Sequence, residues 1–251
     1  MRPSRFRSGC LSMIKRLMTI GLLLVPALAL GASSAALQDS QVNLNDKASM
    51  QRGAALFMNY CSGCHSLGFQ RYSRMAEDLG LDEEQVVANL IFTDAKFGEQ
   101  IKTAMTADDA EKWFGAVPPD LSLVARNKAG GPDWTYTFLK SFYVDPARPS
   151  GWNNTVMAGS SMPHVLWEMQ GLQHPVLDAD GHVERLELVS PGDQSPAEYD
   201  RTVRDIANFL NYVGEPSALK RRALGVWVIL FLAVFSLLTW LLKGEYWKDV
   251  D

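Results

Sequence analysis

The run Cys61-Ser62-Gly63-Cys64-His65 constrains this 251-residue chain more than any other feature. Two residues separate the cysteines and a histidine follows the second one directly, which is the spacing of c-type haem attachment. In such a site each thiol bonds one vinyl group and the neighbouring imidazole binds the iron. We therefore predict one covalent haem c on Cys61 and Cys64, with His65 as the proximal iron ligand.

Three other kinds of site could use this pair of cysteines. A structural zinc site needs about four ligands, often from a second cysteine pair, whereas the only other cysteine here is Cys10. A thioredoxin-type redox pair lies at a strand-to-helix junction, but the segment before the motif has a helical pattern. A plain disulfide between Cys61 and Cys64 remains an alternative in an exported protein.

The N-terminal segment has the composition of a secretory leader. Basic residues without acids come first, an apolar run from Leu17 to Leu30 follows, and small residues occupy 31–36. This order is typical of a signal peptide, and the apolar run is too short to cross about 30 Å of hydrocarbon. We predict that residues 1–35 are a cleaved signal peptide and that residues 36–219 form a periplasmic domain.

The exported chain is acidic. Removing the leader takes away five basic residues and no acidic ones, so the net charge changes from −4 to −9. A negative surface argues against nucleic acid as a partner and favours basic proteins. The clusters Asp82-Glu83-Glu84 and Asp108-Asp109-Glu111 could steer such a partner, or could be ordinary solvated helix surfaces.

A second apolar stretch lies near the C-terminus. Residues 223–242 carry no charge, and as a helix they would extend about 30 Å, the thickness of a bilayer core. Trp227 and Trp240 lie near the two ends, where amphipathic rings prefer to be. We predict a transmembrane anchor over residues 220–242 and a short cytoplasmic tail over residues 243–251.

The charges beside this anchor conflict with the predicted orientation. Lys220, Arg221 and Arg222 precede the apolar stretch, and by the positive-inside rule they would place that side in the cytoplasm. A leader that exports the whole preceding domain overrides this local bias, so we expect the domain to lie outside.

Two helices are predicted to form the core of the exported domain. Asp46 can cap a helix over residues 47–59, in which Met50, Gly53, Ala54 and Phe57 share one face. A second amphipathic helix runs over residues 199–213 and ends at Gly214. Because Gly53 has no side chain, we expect the two helices to cross there. The predicted fold class is mainly α, a cytochrome c-like helical haem domain with loop insertions and one C-terminal transmembrane helix.

The sixth iron ligand is expected downstream of the haem motif. Methionine opposite histidine raises the reduction potential of a haem that carries electrons, and a loop with glycine and proline can turn a sulfur towards iron. Residues 157–164 form such a loop. Spacing alone leaves three candidates open, Met162, Met157 and His164.

The run Pro118-Pro119-Asp120-Leu121-Ser122 is a second polar feature. Its prolines stiffen a loop, and Asp120 or Ser122 could cap the next helix. Arg126 and Lys128 follow and could neutralise haem propionates. An ordinary loop with solvated bases would have the same composition.

The combined motifs resemble the cytochrome c1 family, the haem subunits of quinol:cytochrome c oxidoreductase, or bc1 complex. The resemblance covers nearly the whole chain after the leader. It rests on Cys61-Ser62-Gly63-Cys64-His65-Ser66, Pro118-Pro119-Asp120-Leu121-Ser122, Met162-Pro163, Asn208-Phe209-Leu210-Asn211-Tyr212, Glu215-Pro216 and the single C-terminal anchor.

The resemblance implies specific roles for residues of the site. His65 and Met162 would be the two iron ligands, and Pro119 would contact the haem. Arg126 and Lys128 would lie near the propionates, although family members often have arginine at the second position, where Lys128 offers a point charge rather than a fork of donors.

The resemblance also implies partners and a location. A Rieske iron-sulfur protein would reduce the haem, a cytochrome c would accept the electron, and cytochrome b would complete a dimeric multisubunit complex in the bacterial inner membrane. The haem domain would lie in the periplasm, and no substrate bond would be made or broken on this chain. The alternatives are the anchored cytochrome of another respiratory oxidase or reductase, and a haem peroxidase or gas sensor, which needs an open sixth position.

Overall fold

The computed structural model of the protein describes residues 36–248, without the side chains of residues 219, 222 and 223. The predicted signal peptide, Cys10 and the last three residues of the predicted tail lie outside them. The helices of the described part are α1 (Lys47–Tyr60), α2 (Tyr72–Leu79), α3 (Glu83–Asn89), α4 (Ala107–Phe114), α5 (Val124–Asn127), α6 (Pro132–Lys140), α7 (Trp167–Gln170), α8 (Pro196–Gly214) and α9 (Ala218–Tyr246). Its strands are β1 (Leu67–Arg71), β2 (Gln100–Ile101), β3 (Phe142–Val144), β4 (Trp152–Asn154), β5 (Gly171–Leu177) and β6 (Val183–Pro191).

The core is built around the crossing of α1 and α8. Asp46 accepts a hydrogen bond from the backbone nitrogen of Ser49 and so caps α1, as the sequence predicts. At the crossing, a Cβ on Gly53 would lie 2.0 Å from the carbonyl oxygen of Asp205. No side chain fits at that distance, so the predicted close approach at Gly53 is confirmed.

A buried carboxylate fastens the same crossing. Asp205 accepts hydrogen bonds from Ser49 Oγ at 2.6 Å and from Arg52 Nε at 2.6 Å. The Asp205 side chain is only 5% exposed, whereas that of Arg52 is 52% exposed. The pair therefore joins α1 to α8 at the edge of the core, where the guanidinium keeps contact with water.

The start of α8 is fixed by a capping box. Ser195 accepts a hydrogen bond from the backbone nitrogen of Glu198, whose side chain accepts from the backbone nitrogen of Ser195. Pro196 occupies the first turn, where its missing N–H costs nothing. The helix therefore begins three residues before the predicted Tyr199 and ends at Gly214.

The strands form three separate antiparallel pairs, β1 with β2, β3 with β4, and β5 with β6. The longest pair occupies residues 171–191, a segment whose glycines and prolines favour loops. Gly171 and Pro191 are opposite each other at the open end of this hairpin. Gln173 also binds the carbonyl oxygens of Lys140 and Phe142 through its side-chain nitrogen.

The long helix α9 leaves this domain at Ala218. Residues Leu224–Tyr246 make it the one described helix long and apolar enough to cross a membrane. At its base Lys220 lies 3.7 Å from Glu77, and Arg221 pairs with Glu215. The mainly α fold with one C-terminal apolar helix is confirmed.

Candidate haem site

The haem motif forms a tight turn at the end of α1. The backbone nitrogens of Cys61 and Ser62 donate to the carbonyl oxygen of Phe57, and those of Cys64 and His65 donate to that of Cys61. Thr103 Oγ1 donates to the carbonyl oxygen of Gly63 at 2.7 Å. This bonding presents both cysteines and His65 to one cleft.

The imidazole of His65 is oriented by a backbone group. Its Nδ1 lies 2.8 Å from the carbonyl oxygen of Pro119. A carbonyl can only accept, so Nδ1 carries the proton and the lone pair of Nε2 is free for a metal. Burial lowers the pKa of His65, partly offset by this hydrogen bond and by the charge of Asp120. The neutral, ligating form is therefore favoured.

Cys61 and Cys64 do not form a disulfide with each other. Burial raises the pKa of the Cys61 thiol to about 12, with a smaller contribution from Cys64, and burial also raises the pKa of Cys64. A redox pair needs a stabilised thiolate, so these surroundings argue against the redox alternative.

The segment that carries Pro119 is braced by Asp120. One carboxylate oxygen accepts from the backbone nitrogen of Gly68 at 2.7 Å, and the other accepts from that of Ser122 at 2.7 Å. Ser122 Oγ in turn accepts from the backbone nitrogen of Phe69. The expectation that Asp120 or Ser122 caps the next helix is wrong, because α5 begins after Leu123 without a side-chain cap. Both side chains hold β1 instead.

The three candidates for the sixth ligand lie in different surroundings. Met162 lines the same cleft as the haem motif, whereas Met157 is 39% exposed. The ring of His164 stacks on Phe142 at 5.0 Å and meets Trp152 edge to face at 5.2 Å. Burial lowers the pKa of His164 to about 4. Of the three side chains, only that of Met162 lines the cleft.

The cleft is lined almost entirely by apolar groups. Its lining residues come from three separate parts of the chain, residues 60–65, 114–118 and 161–165. They are Tyr60, Cys61, Cys64, His65, Phe114, Ala116, Pro118, Ser161, Met162, Pro163 and Val165. No charged side chain is among these described lining residues. Two thiols, one neutral imidazole and one thioether in an apolar cleft fit a covalently bound porphyrin with two axial ligands.

The remaining predicted contacts lie around the cleft. Pro119 acts through its carbonyl oxygen on His65, while the neighbouring Pro118 lines the cleft. Arg126 lies 3.0 Å from Glu215, and the ammonium of Lys128 lies 4.4 Å from the centre of the Trp134 ring. Neither base is among the residues that line the cleft, so their role at the propionates stays a prediction.

Both acidic clusters lie at the starts of helices. Asp82 caps α3 and is followed by Glu83 and Glu84 in the first turn. Asp108 and Asp109 occupy the first turn of α4. Negative charge there stabilises the helix dipole, which gives both clusters a structural role independent of any partner.

Comparison with known proteins gives the family of this chain. The model of the Cytochrome C1 family matches residues 38–250. The chain belongs to the cytochrome c1 family.

Several relatives are similar over most of their length. The "Cytochrome c1" of Allochromatium vinosum is 50% identical over 245 residues, which cover 95% of this chain and all of that protein. A Nitrosomonas europaea protein named "Ammonia monooxygenase gamma subunit" is 44% identical, covering 95% of this chain and 99% of that protein. The "Cytochrome c1, heme protein, mitochondrial" of Schizosaccharomyces pombe is 26% identical over 82% of this chain and 68% of its own length.

Family membership confirms the cofactor and the general role expected from the sequence. This cytochrome c1 family member is a haem c protein whose Cys61 and Cys64 fit covalent attachment. It is an electron-transfer subunit of the bc1 type, and its C-terminal apolar helix fits a single-pass membrane anchor.

Proposed function

We propose that this chain takes electrons from a Rieske iron-sulfur protein and passes them to a cytochrome c, with His65 and Met162 as the two iron ligands. Haem c, when bound, supplies an iron that accepts and releases one electron. The residues of the chain attach the porphyrin, hold a neutral imidazole and a thioether towards it, and exclude water from most of its surface.

One observation carries this proposal. The haem motif, the Pro118 segment and the Met162 loop are separated by long stretches of sequence, yet residues from all three line one apolar cleft. A cleft that offers both a neutral imidazole and a thioether suits a haem with two axial ligands, which is the form that transfers electrons without binding substrate.

The proposed location is the bacterial inner membrane, with the haem domain in the periplasm and the tail in the cytoplasm. Lys220 and Arg221 at the base of α9 lie beside Glu77 and Glu215 of the haem domain. These contacts support a role for both bases in binding that domain, which would reduce the conflict with the positive-inside rule. Protease treatment of intact spheroplasts tests the topology, because it should digest the haem domain.

The ligand assignment is tested by the visible spectrum of Met162→Leu. A thioether-to-iron charge-transfer band in the oxidised wild-type protein should disappear in the variant, and the reduction potential should fall. Met157→Leu is the matched control and should keep the band. A low-spin, high-potential haem in Met162→Leu would mean that Met162 is not the ligand.

Purification in mild detergent tests the partners. Cytochrome b and a Rieske protein should accompany the chain if it belongs to the proposed complex. The name of the Nitrosomonas europaea relative gives a reason to probe the same preparation for an ammonia monooxygenase. Co-purification with that enzyme, or with haem-copper oxidase subunits, in place of cytochrome b would reject the proposed assembly.

The same spectrum separates the proposal from a haem peroxidase or gas sensor. Those proteins keep the sixth position open or labile. A high-spin oxidised haem that binds cyanide rapidly would reject the role of an electron carrier.

The propionate contacts of Arg126 and Lys128 are part of the proposal. Removing a positive charge beside the haem favours the oxidised form, which carries more positive charge. Lys128→Gln should therefore lower the reduction potential, whereas Arg185→Gln, which changes an exposed base on the β5–β6 hairpin, is the control for general charge effects.

A further inference from the structure

The segment before Met162 is held by side chains rather than by regular secondary structure. We call residues 155–162 the ligand loop. It follows β4 directly and leads to Pro163, ahead of α7. Its position decides where the sulfur of Met162 lies, so the groups that fix its backbone bear on the iron bond.

Asn154 makes the most buried of these contacts. Its side chain is fully buried, and its Oδ1 accepts hydrogen bonds from the backbone nitrogens of Val156 at 2.9 Å and Met157 at 3.1 Å. Its Nδ2 donates to the carbonyl oxygen of Phe138 at 2.8 Å. One amide side chain therefore ties the start of the ligand loop to the end of α6.

Asn153 and Arg148 hold the middle of the ligand loop. Asn153 Oδ1 accepts from the backbone nitrogen of Gly159 at 2.8 Å, while its Nδ2 donates to Asp145 at 2.9 Å. The guanidinium of Arg148 donates to the carbonyl oxygen of Gly159 at 2.6 Å. Both backbone groups of Gly159, three residues before Met162, are thus fixed.

Gly159 has a φ of +77°. Because glycine adopts positive and negative φ about equally well, the bonds from Asn153 and Arg148 select one of these conformations. The end of the ligand loop has further bonds of its own, from the nitrogen of Ser160 to the carbonyl oxygen of Met157 and from the nitrogen of Met162 to Ser160 Oγ.

We infer that Asn154, assisted by Asn153, is a positioning residue for the thioether ligand: its buried amide fixes the ligand loop so that the Met162 sulfur stays bound to iron. This inference rests on the proposed role of Met162. Groups that orient a metal ligand typically change metal affinity by about 10–100-fold when they are removed. Here the affected bond is one iron–sulfur contact, since the covalent attachment keeps the haem in place.

The test compares four variants of the full-length haem protein in detergent. They are Asn154→Ala, Asn153→Ala, Met162→Leu and the control Asn89→Ala, whose exposed amide also binds a backbone carbonyl, on α3. The readouts are the thioether-to-iron charge-transfer band, the reduction potential and the equilibrium constant for binding imidazole to the oxidised haem. Circular dichroism confirms that each variant is folded.

The expected result is a weakened band, a lower potential and at least about tenfold tighter imidazole binding in Asn154→Ala, with a smaller change in Asn153→Ala. Asn89→Ala should match the wild-type protein in all three readouts. A purely structural role for Asn154 would lower stability without changing imidazole binding in the folded protein.

Two outcomes would overturn the inference, and they differ. If Met162→Leu loses the band while both asparagine variants keep it and bind imidazole within about twofold of the wild-type protein, Asn154 does not position the ligand. If Met162→Leu itself keeps the band, the ligand assignment fails first and the inference fails with it. Should Asn154→Ala not fold, Asn153→Ala decides between these outcomes by the same criteria.

Discussion

Gly68 and Asp120 join the two segments on the His65 side of the cleft, because the backbone nitrogen of Gly68 donates to the Asp120 carboxylate at 2.7 Å. The same carboxylate accepts from Ser122, so it holds β1 against the loop whose Pro119 carbonyl orients His65. Asp120 therefore affects His65, the proposed iron ligand, through the backbone as well as through its charge.

Removing this carboxylate should weaken the domain. Hydrogen bonds to charged groups contribute about 1.5–3 kcal/mol each. Because Asp120 is exposed, water weakens its two bonds. We therefore expect Asp120→Ala to lower the free energy of unfolding by about 2 kcal/mol in total. Asp120→Asn keeps one acceptor oxygen and should lose less. Chemical denaturation followed at the haem Soret band measures both variants, and an unchanged midpoint in Asp120→Ala would contradict the bracing role.

Gly53→Ala should disrupt the crossing of α1 and α8. Alanine favours a helix by about 1 kcal/mol over glycine, but its Cβ would lie 2.0 Å from the Asp205 carbonyl oxygen. Overpacking costs typically 1–3 kcal/mol, and because the clash is with backbone atoms we take the upper end, about 3 kcal/mol. Less the gain of about 1 kcal/mol from alanine, a net loss of about 2 kcal/mol is expected. Gly98→Ala is the control, since nothing lies within 4 Å of its added Cβ. Equal stability of the two variants in denaturant would refute the close approach.

The N-terminal capping box of α8 should contribute to stability independently of the packing of that helix. Ser195→Ala removes the acceptor for the Glu198 backbone nitrogen, a change that costs about 1 kcal/mol in comparable helices. Ser195→Asp restores an acceptor and should recover most of the loss. Thermal unfolding by circular dichroism gives both values, and a Ser195→Ala variant as stable as the wild-type protein would rule out a contribution from the cap.

Asp200 should make the domain sensitive to acid. Burial alone would raise the pKa of Asp200, but hydrogen bonds from Lys140 and Tyr136 and the charges of Lys140 and Arg204 hold it below its usual value. The carboxylate lies 2.6 Å from Lys140 and 2.9 Å from Arg204.

A carboxyl group whose pKa is lower in the folded state than in the unfolded state stabilises the folded protein. This contribution is complete above the unfolded-state pKa and is lost as the pH falls through the folded-state pKa. The unfolding free energy of the wild-type protein should therefore decline below about pH 4. Asp200→Asn should be less stable at pH 7 and show a flatter decline. Asp94→Asn, which changes an exposed carboxylate with no ion pair among the described residues, should keep the wild-type slope. A wild-type slope in Asp200→Asn would contradict this assignment.

The features that the sequence predicts well depend on neighbouring residues. The haem motif is contained in five consecutive positions, and the cap of α1 depends on Asp46 and Ser49, three residues apart. The crossing at Gly53 could be expected because glycine weakens a helix, a cost that a close approach of another helix can offset. The predicted helix ends are less accurate. The Ser195–Glu198 capping box begins α8 at Pro196, ahead of the predicted Tyr199.

The features that were missed depend on residues far apart in the chain. Asp120 matches the sequence pattern of a helix cap. Only the structure shows that its partner is the distant backbone nitrogen of Gly68. The resemblance implied a haem contact for Pro119, but its bond to His65 comes from a backbone oxygen, which every residue possesses, so the residue type does not predict that bond. Glycine and proline usually indicate a loop, but Gly171 and Pro191 pair with each other at the open end of the β5–β6 hairpin. The contact of Arg126 with Glu215 likewise joins segments that no local pattern relates.

The two proposed axial residues are supported by different parts of the molecule. His65 is oriented by the Pro119 carbonyl and the segment that Asp120 fastens to β1, whereas the loop before Met162 is bound to the β3–β4 pair and α6. We therefore expect warming to break the proposed bond between iron and the Met162 sulfur and the proposed bond between iron and the His65 nitrogen in separate stages. The colour of the protein would change first, while its helical circular dichroism still has the native value.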